Sequence, residues 1–231
     1  MIRLLRSSDY RRMPWKNGGG ETREVLVSPP GASLDALEWR ISLATVASDG
    51  PFSEFRGITR TLSVIRGAGI TLRIAGEPPR QLLQSSDPCT FDGETATSAS
   101  LIDGPIVDLN VMSRRGVAGH RVSRLSLEGA SQLATSADVT LVFCRTGSVM
   151  CRDGGTAVEL NEEDCALIDD QPRAVDLVAA RAGSEQPSIA GRLGAGAAEL
   201  FVIELYRGSS SIGNRTLSGT EFYRELTRSG S

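Results

Sequence analysis

Histidine is nearly absent. The 231 residues carry one, His120. Any mechanism that needs two or more imidazoles is therefore excluded, including the histidine-rich metal centres common in barrel enzymes. The four cysteines, Cys89, Cys144, Cys151 and Cys165, make no CxxC spacing and have no neighbouring histidine. Zinc needs paired ligands at short spacing, so these read as buried free thiols acting as small hydrophobes. No metal and no cofactor is expected. An excess of one charge sign is also missing: 25 basic residues face 28 acidic ones, for a net charge of −3. Nucleic-acid binding rests on clustered Lys and Arg at phosphates, so nucleic acid is not an expected partner. No apolar run approaches the ~18 residues of a membrane-spanning helix, so no membrane association is expected. The opening MIRLLRSSDYRRMPW has neither an apolar signal core nor a small-residue cleavage site, which makes the cytoplasm the expected location. Helical patterns are scarce as well. The best candidates, Leu34–Leu37 and Gly219–Arg228, are both short.

What the chain does have is short strands. Trp39–Val46 alternates Trp39, Ile41 and Leu43 with Arg40, Ser42 and Ala44. Ile58–Arg66 puts Arg60, Leu62 and Val64 on one face, with Gly67 and Gly69 as a corner. Between these strands lies the turn-rich Ser48–Gly57. The chain begins with a short apolar run, Ile2–Leu5, and further strand-like runs are Thr22–Val27, Ile70–Ile74, Gln81–Gln84, Thr95–Ile102, Ile106–Met112, Val117–Leu127, Val139–Cys144, Ser148–Arg152, Ala157–Leu160, Cys165–Ile168 and Leu200–Tyr206. Residues 85–94 and 181–198 read as loops, and the chain ends in a Ser/Gly-rich tail. Regular short strands broken by Gly, Pro and Asp indicate an all-β sandwich or barrel.

The texture repeats. LSVIRGAGITLRI (62–74) and LVFCRTGSVMCRD (141–153) both read apolar strand, basic residue, glycine, strand. The similarity is weak, but it points to a duplicated barrel, divided into residues 1–116 and 117–231.

The candidate chemistry is polar rather than nucleophilic. Arg40, Ser42, Ser53 and Arg60 lie on or near the two organising strands, and Asp92 and Asn110 follow in the same half. Asn and Asp are disfavoured in strands unless they have partners, which singles out Asp108-Leu109-Asn110. A guanidinium inside a barrel needs a carboxylate. For Arg60 that is either an internal one, from Asp92, Asp108 or Glu24, or one brought by a ligand. In the ligand reading Asn110, Ser53 and Thr22 add hydrogen bonds, and Trp39 or Phe52 an apolar wall. Core packing is the competing reading for Trp39 and for Trp15. His120 reads as a surface or structural residue, and Arg114-Arg115 as a solvated strand end. The glycines Gly18, Gly19 and Gly20 precede a strand rather than a helix. They therefore read as a tight turn, not a phosphate loop.

The strand pair resembles a cupin half. The usual cupin carries metal-binding histidines and a glutamate there, but here the stretch is GPFSEFRGITRTLSVIRGAG. Five motifs together are similar to the HutD/Ves family: Met13-Pro14-Trp15-Lys16-Asn17-Gly18-Gly19-Gly20 with Thr22; Trp39-Arg40-Ile41-Ser42; Gly50-Pro51-Phe52-Ser53-Glu54-Phe55 with Gly57 and Arg60; Phe91-Asp92-Gly93; and Asp108-Leu109-Asn110-Val111-Met112. Arg56 departs from the pattern where a proline is expected. The resemblance implies a bicupin fold. It also implies a non-catalytic role in histidine utilisation, with a small acidic intermediate such as formylglutamate or urocanate bound in the first barrel. It adds Asn17 and Met112 to the expected ligand-binding set of Arg60, Ser53, Asn110, Thr22, Arg40, Trp39, Phe52 and Asp92. The alternative is a cupin enzyme, an isomerase or hydrolase acting on a small carboxylate. Bicupins often form homodimers, although no sequence feature marks an interface.

Overall fold

A computed structural model describes residues 1–15, 20–169, 173–180 and 196–208. In chain order the strands of the first half are β1 (Ile2–Leu5), β2 (Arg11–Pro14), β3 (Gly20–Ser28), β4 (Trp39–Val46), β5 (Gly50–Pro51), β6 (Ile58–Arg66), β7 (Ile70–Ile74), β8 (Arg80–Leu82), β9 (Cys89–Asp92), β10 (Thr97–Leu101) and β11 (Ile106–Arg114). The second half supplies β12 (Ala118–Glu128), β13 (Ala130–Thr135), β14 (Val139–Thr146), β15 (Val149–Asp153), β16 (Thr156–Leu160), β17 (Cys165–Asp169), β18 (Arg173–Ala179) and β19 (Ala197–Arg207). The helical content among the described residues is one 3-10 turn, Ser7–Asp9. Leu34–Leu37 is a turn, and Gly219–Arg228 lies outside the described residues.

The first half builds two facing sheets, β2-β3-β4-β11-β6-β9 and β5-β10-β7-β8. The second builds β1-β17-β14-β19-β12 and β13-β18-β15-β16. The fold is thus all-β and made of two cupin-like barrels. β1 crosses a division at residue 116, because it pairs antiparallel with β17.

Strand parity explains the layering. On β4 and β11, Trp39, Ile41, Leu43, Leu109 and Val111 turn away from their own barrel. They pack against Leu141, Phe143, Phe201 and Ile203 of the other half. The opposite faces turn inward. Leu62, Val64, Ile70, Leu72 and Phe91 fill one end of the first barrel. The second barrel interior is apolar throughout its cluster, from Val142 and Cys144 to Leu177 and Leu200.

The duplication has a structural counterpart. Gly67 follows β6 at φ +90°, and Gly147 follows β14 at φ +84°. A Cβ on either would sit 2.6 Å from a backbone oxygen, of Pro105 and of Ala197 respectively. Both corners therefore require glycine for conformation and for space. In both halves the crowding comes from the start of a long strand, β11 or β19.

Polar clamps join the halves. Arg23 donates from Nη1 to Glu163 Oε2 at 2.6 Å, and Arg66 pairs with the same carboxylate at 3.3 Å. Tyr10 donates its hydroxyl proton to the Glu163 carbonyl at 2.7 Å.

The segment 85–94 is not all loop. Asp87-Pro88 and Asp92-Gly93 bracket β9, whose four residues pair with Thr59–Leu62 of β6. The turn signals are real, but they flank a strand too short to show alternation. Strands β2, β13 and β18 are likewise additions to the sequence reading.

Candidate functional site

The inward face of β3, β4, β11 and β6 is unusual for a barrel core because most of it is polar. Antiparallel register places these residues in rows. Met112 stands between Arg40 and Arg60, and Arg60 is opposite Phe91. One row along, Asn110 stands between Ser42 and Leu62, and Glu24 faces Ser42. In the third row Asp108 stands between Ala44 and Val64, and Thr22 faces Ala44. Period-two alternation sends the whole set to one side.

Arg60 is the centre of this face. It is 7% exposed, and its guanidinium carbon lies 5.2 Å, 5.3 Å and 5.4 Å from the ring centroids of Phe52, Phe55 and Phe91. Three π faces around one cation replace part of its lost hydration. Its hydrogen bonds are long: Nε donates to Asn110 Oδ1 at 3.4 Å, and Nη1 to the Ser53 carbonyl at 3.5 Å. Among the described residues no carboxylate reaches ion-pair distance of this guanidinium. Burial lowers its pKa to about 10, and Asp108 works against that fall.

The internal partners open to Arg60 in sequence are mostly occupied. Glu24 accepts from Arg40 Nε at 2.7 Å. Asp92 accepts from Arg115 Nη1 at 3.0 Å and is exposed at the barrel rim. That leaves Asp108, buried and bearing an Oδ1 with no hydrogen-bond partner among the described residues. Burial pushes its carboxyl up to about 7, and Arg60 pulls it back down. Ser42 Oγ is also buried without a partner among the described residues.

Of the expected site residues, the structure gathers Arg60, Asn110, Met112, Thr22, Arg40 and Phe52 on or against this face. Ser53 takes part through its carbonyl. Thr22 is held by Trp15, whose Nε1 donates to its Oγ1 at 2.9 Å. Two expectations are corrected. Trp39 is not a pocket wall: its odd position on β4 sends it into the core between the barrels. Asp92 is not near the guanidinium: it sits opposite Thr59, one residue off the inward row, and binds Arg115. Asn17 lies outside the described residues. Phe55 and Phe91 pack on Arg60, and Ser42 and Asp108 share its inward face, although none of the four is in the expected binding set. Strand parity with Arg60 would have found Asp108 and Ser42. Phe91 needed β9, which the turn signals hid.

Arg114 and Arg115 stand at the end of β11, with Arg115 exposed as expected of a strand end, and both are also tied down: Arg114 donates to the carbonyls of Leu37 and Asp35, each at 2.8 Å, and Arg115 pairs with Asp92 and Glu94. His120 takes the structural one of its two expected roles. Its Nε2 lies 2.7 Å from Thr61 Oγ1 and its Nδ1 2.7 Å from Ser113 Oγ, so it ties β12 to the outward face of β6 and β11. Burial lowers its pKa to about 4. Gly20 is where two backbones meet: a Cβ there would lie 1.9 Å from the Thr45 carbonyl oxygen.

Among the described residues no group of three or more His, Cys, Asp or Glu side chains could hold a metal ion. No helix among them is long and apolar enough to cross a membrane.

Comparison with known proteins gives the relationship. Residues 7–185 match the HutD family. The chain is 37% identical over 169 residues to an uncharacterised 21.2 kDa protein in the hutC 3′ region of Pseudomonas putida, covering 73% of this chain and 87% of that one. It is 39% identical over 111 residues to Protein Ves of Citrobacter koseri, 46% of this chain and 56% of Ves. The structure of HutD from Pseudomonas fluorescens SBW25, obtained in a formate condition, superposes with a TM-score of 0.71 at 31% identity over 90% of this chain and 99% of that one. A cupin 2 barrel protein of Leptotrichia buccalis, at 11% identity and a TM-score of 0.52 over 87% of this chain and 99% of that one, shares the fold alone. With its family match spanning most of the sequence, this chain is a member of the HutD family.

Proposed function

We propose that this protein is a non-catalytic binder of a small acidic metabolite, held in a metal-free pocket of the first barrel, residues 1–116. The supporting observation is Arg60. A guanidinium that is charged at neutral pH is desolvated inside the barrel, caged by three phenylalanine rings, and has no internal carboxylate at ion-pair distance among the described residues. A buried charge of this kind is costly unless something neutralises it. A ligand carboxylate on the guanidinium fork is the partner whose geometry fits. Family membership, together with the position of the Pseudomonas putida relative in the hutC 3′ region, directs the choice of ligand to histidine utilisation. Formylglutamate and urocanate are the first two to test. The role is then regulatory, sensing or sequestering an intermediate in the cytoplasm.

Titration calorimetry with each compound tests this at protein concentrations that detect about millimolar affinity. Heat with at least one, lost in Arg60→Met, is expected. Absence of heat with both ligands sinks the reading. One observation favours a second reading, an isomerase or hydrolase of the same ligand class. Asp108 shares the barrel with Arg60, and its carboxyl is pushed up to about 7, where it could exchange a proton at neutral pH. Turnover of either compound, lost in Asp108→Asn, would select it.

A further inference from the structure

The inward face of the first barrel holds two charged groups that are not each other's partner. Arg60 is on β6 and Asp108 on β11. Both are buried, and each shifts the other's proton affinity, yet they are not within ion-pair distance. The intervening position on β11 is Asn110, whose Oδ1 is already taken by Arg60 Nε. Ser42, opposite Asn110 on β4, is buried with a hydroxyl that has no partner among the described residues. Asp108 Oδ1 is in the same condition. The remaining charges on this face, Arg40 and Glu24, neutralise each other at 2.7 Å. Trp39 Nε1 and Ser63 Oγ are also buried without partners among the described residues, but on the opposite faces of β4 and β6; Asp108 Oδ1 and Ser42 Oγ share the inward face with a cation that no carboxylate of the described residues contacts, and that combination marks a place for something polar.

We propose that Asp108 and Ser42 form a second subsite that accepts a hydrogen bond from an N–H group, so that the ligand class is a small carboxylate carrying an N–H donor. The proposal rests on the carboxylate reading of Arg60 and adds the recognition at the other end of the ligand. The carboxylate sits on the guanidinium. The N–H, from an amide or an azole ring, reaches Asp108 Oδ1, and Ser42, one row along on the neighbouring strand β4, supplies the second polar group. Phe52, Phe55 and Phe91 exclude water from the cationic end. Such a site rejects a carboxylate of the same shape that lacks the donor, because Asp108 then stays buried and unpaired. It also imposes a pH window. Ionised Asp108 accepts more strongly than its protonated form, and Arg60 binds the carboxylate when protonated, so affinity for a donor-bearing ligand weakens below about pH 7 and above about pH 10.

The probes are urocanate, which has a ring N–H, and 3-(2-furyl)acrylate, a monocarboxylate of closely similar shape without one. Calorimetry is run on wild type, Asp108→Leu, Asp108→Asn, Ser42→Ala and Arg60→Met, each checked for folding by its melting curve. Wild type is expected to prefer urocanate by about tenfold or more, the size of a hydrogen bond to a charged group. Asp108→Leu should bring the two acrylates to within about twofold by weakening urocanate alone, and Ser42→Ala should reduce the preference in part. Should the leucine variant not fold, Asp108→Asn, close in shape to the wild-type side chain, still decides: it should abolish the loss of urocanate affinity below pH 7. Equal binding of the two acrylates by wild type, or a preference and pH dependence that survive both Asp108 variants, overturns the donor subsite. Binding of neither acrylate by wild type overturns the carboxylate reading of Arg60, and the subsite with it.

Discussion

Replacing Arg60 by methionine keeps most of the side-chain volume and removes the charge. In the folded chain burial lowers the Arg60 pKa from 12.5 to about 10, which corresponds to roughly 3 kcal/mol against the charged form. Below pH 10 the group is protonated in both the folded and the unfolded chain. The cost is therefore fully present at neutral pH and is relieved only as pH rises from about 10 towards 12.5. Against it stand three ring faces at about 0.5–1 kcal/mol each. The rings offset half or more of that cost. Arg60→Met is thus expected to change stability by no more than about 1.5 kcal/mol, a shift of at most about 6 °C in melting temperature for a chain this long. The same variant should lose carboxylate binding by about thirtyfold or more, as expected for one partner of a buried charge pair. Differential scanning calorimetry gives the first quantity and a binding titration the second. An Arg60 that were half of an internal salt bridge would behave differently, since removing one partner of a buried pair costs about 3–5 kcal/mol. A fall in melting temperature of about 10 °C would refute the reasoning.

Further outcomes follow from other contacts. His120 is held neutral, with its pKa lowered from 6.5 to about 4 by burial; its stabilising contribution is present above pH 6.5 and is lost as pH falls to about 4. His120→Asn should flatten that part of the acid denaturation profile, and an unchanged profile would contradict the burial argument. Glu163→Gln leaves the largely buried Arg23 without its counter-charge, which should lower the urea midpoint by an amount equivalent to about 3 kcal/mol. Gly20→Ala drives a Cβ into the Thr45 carbonyl; it should destabilise the chain by about 3 kcal/mol and weaken ligand binding, because β3 carries Thr22 and Glu24.

Much of the fold was legible because it rests on alternation. Trp39–Val46, Ile58–Arg66 and Ile70–Ile74 are strands with the expected bounds, since each presents one continuous apolar face bounded by glycine or a turn. The same alternation made Arg60 stand out among Leu62 and Val64. Strands without that contrast stayed hidden. β13 reads ASQLAT and lies mostly exposed, and β9 is four residues long. Trp39 was misplaced for a different reason. Its neighbours reveal that it alternates with Arg40, but only the second half of the chain shows that the Trp39 side of β4 is covered by another barrel. Asp92 was misplaced because a loop reading carries no parity. Pairing with β6 assigns Phe91, not Asp92, to the Arg60 row.

A crystal structure of the protein grown with urocanate tests the central claim most directly. The expected map shows the ligand inside the first barrel, its carboxylate oxygens at about 2.8 Å from the Arg60 guanidinium nitrogens. A ligand seated elsewhere, with Arg60 still unpaired in its cage of Phe52, Phe55 and Phe91, would contradict it.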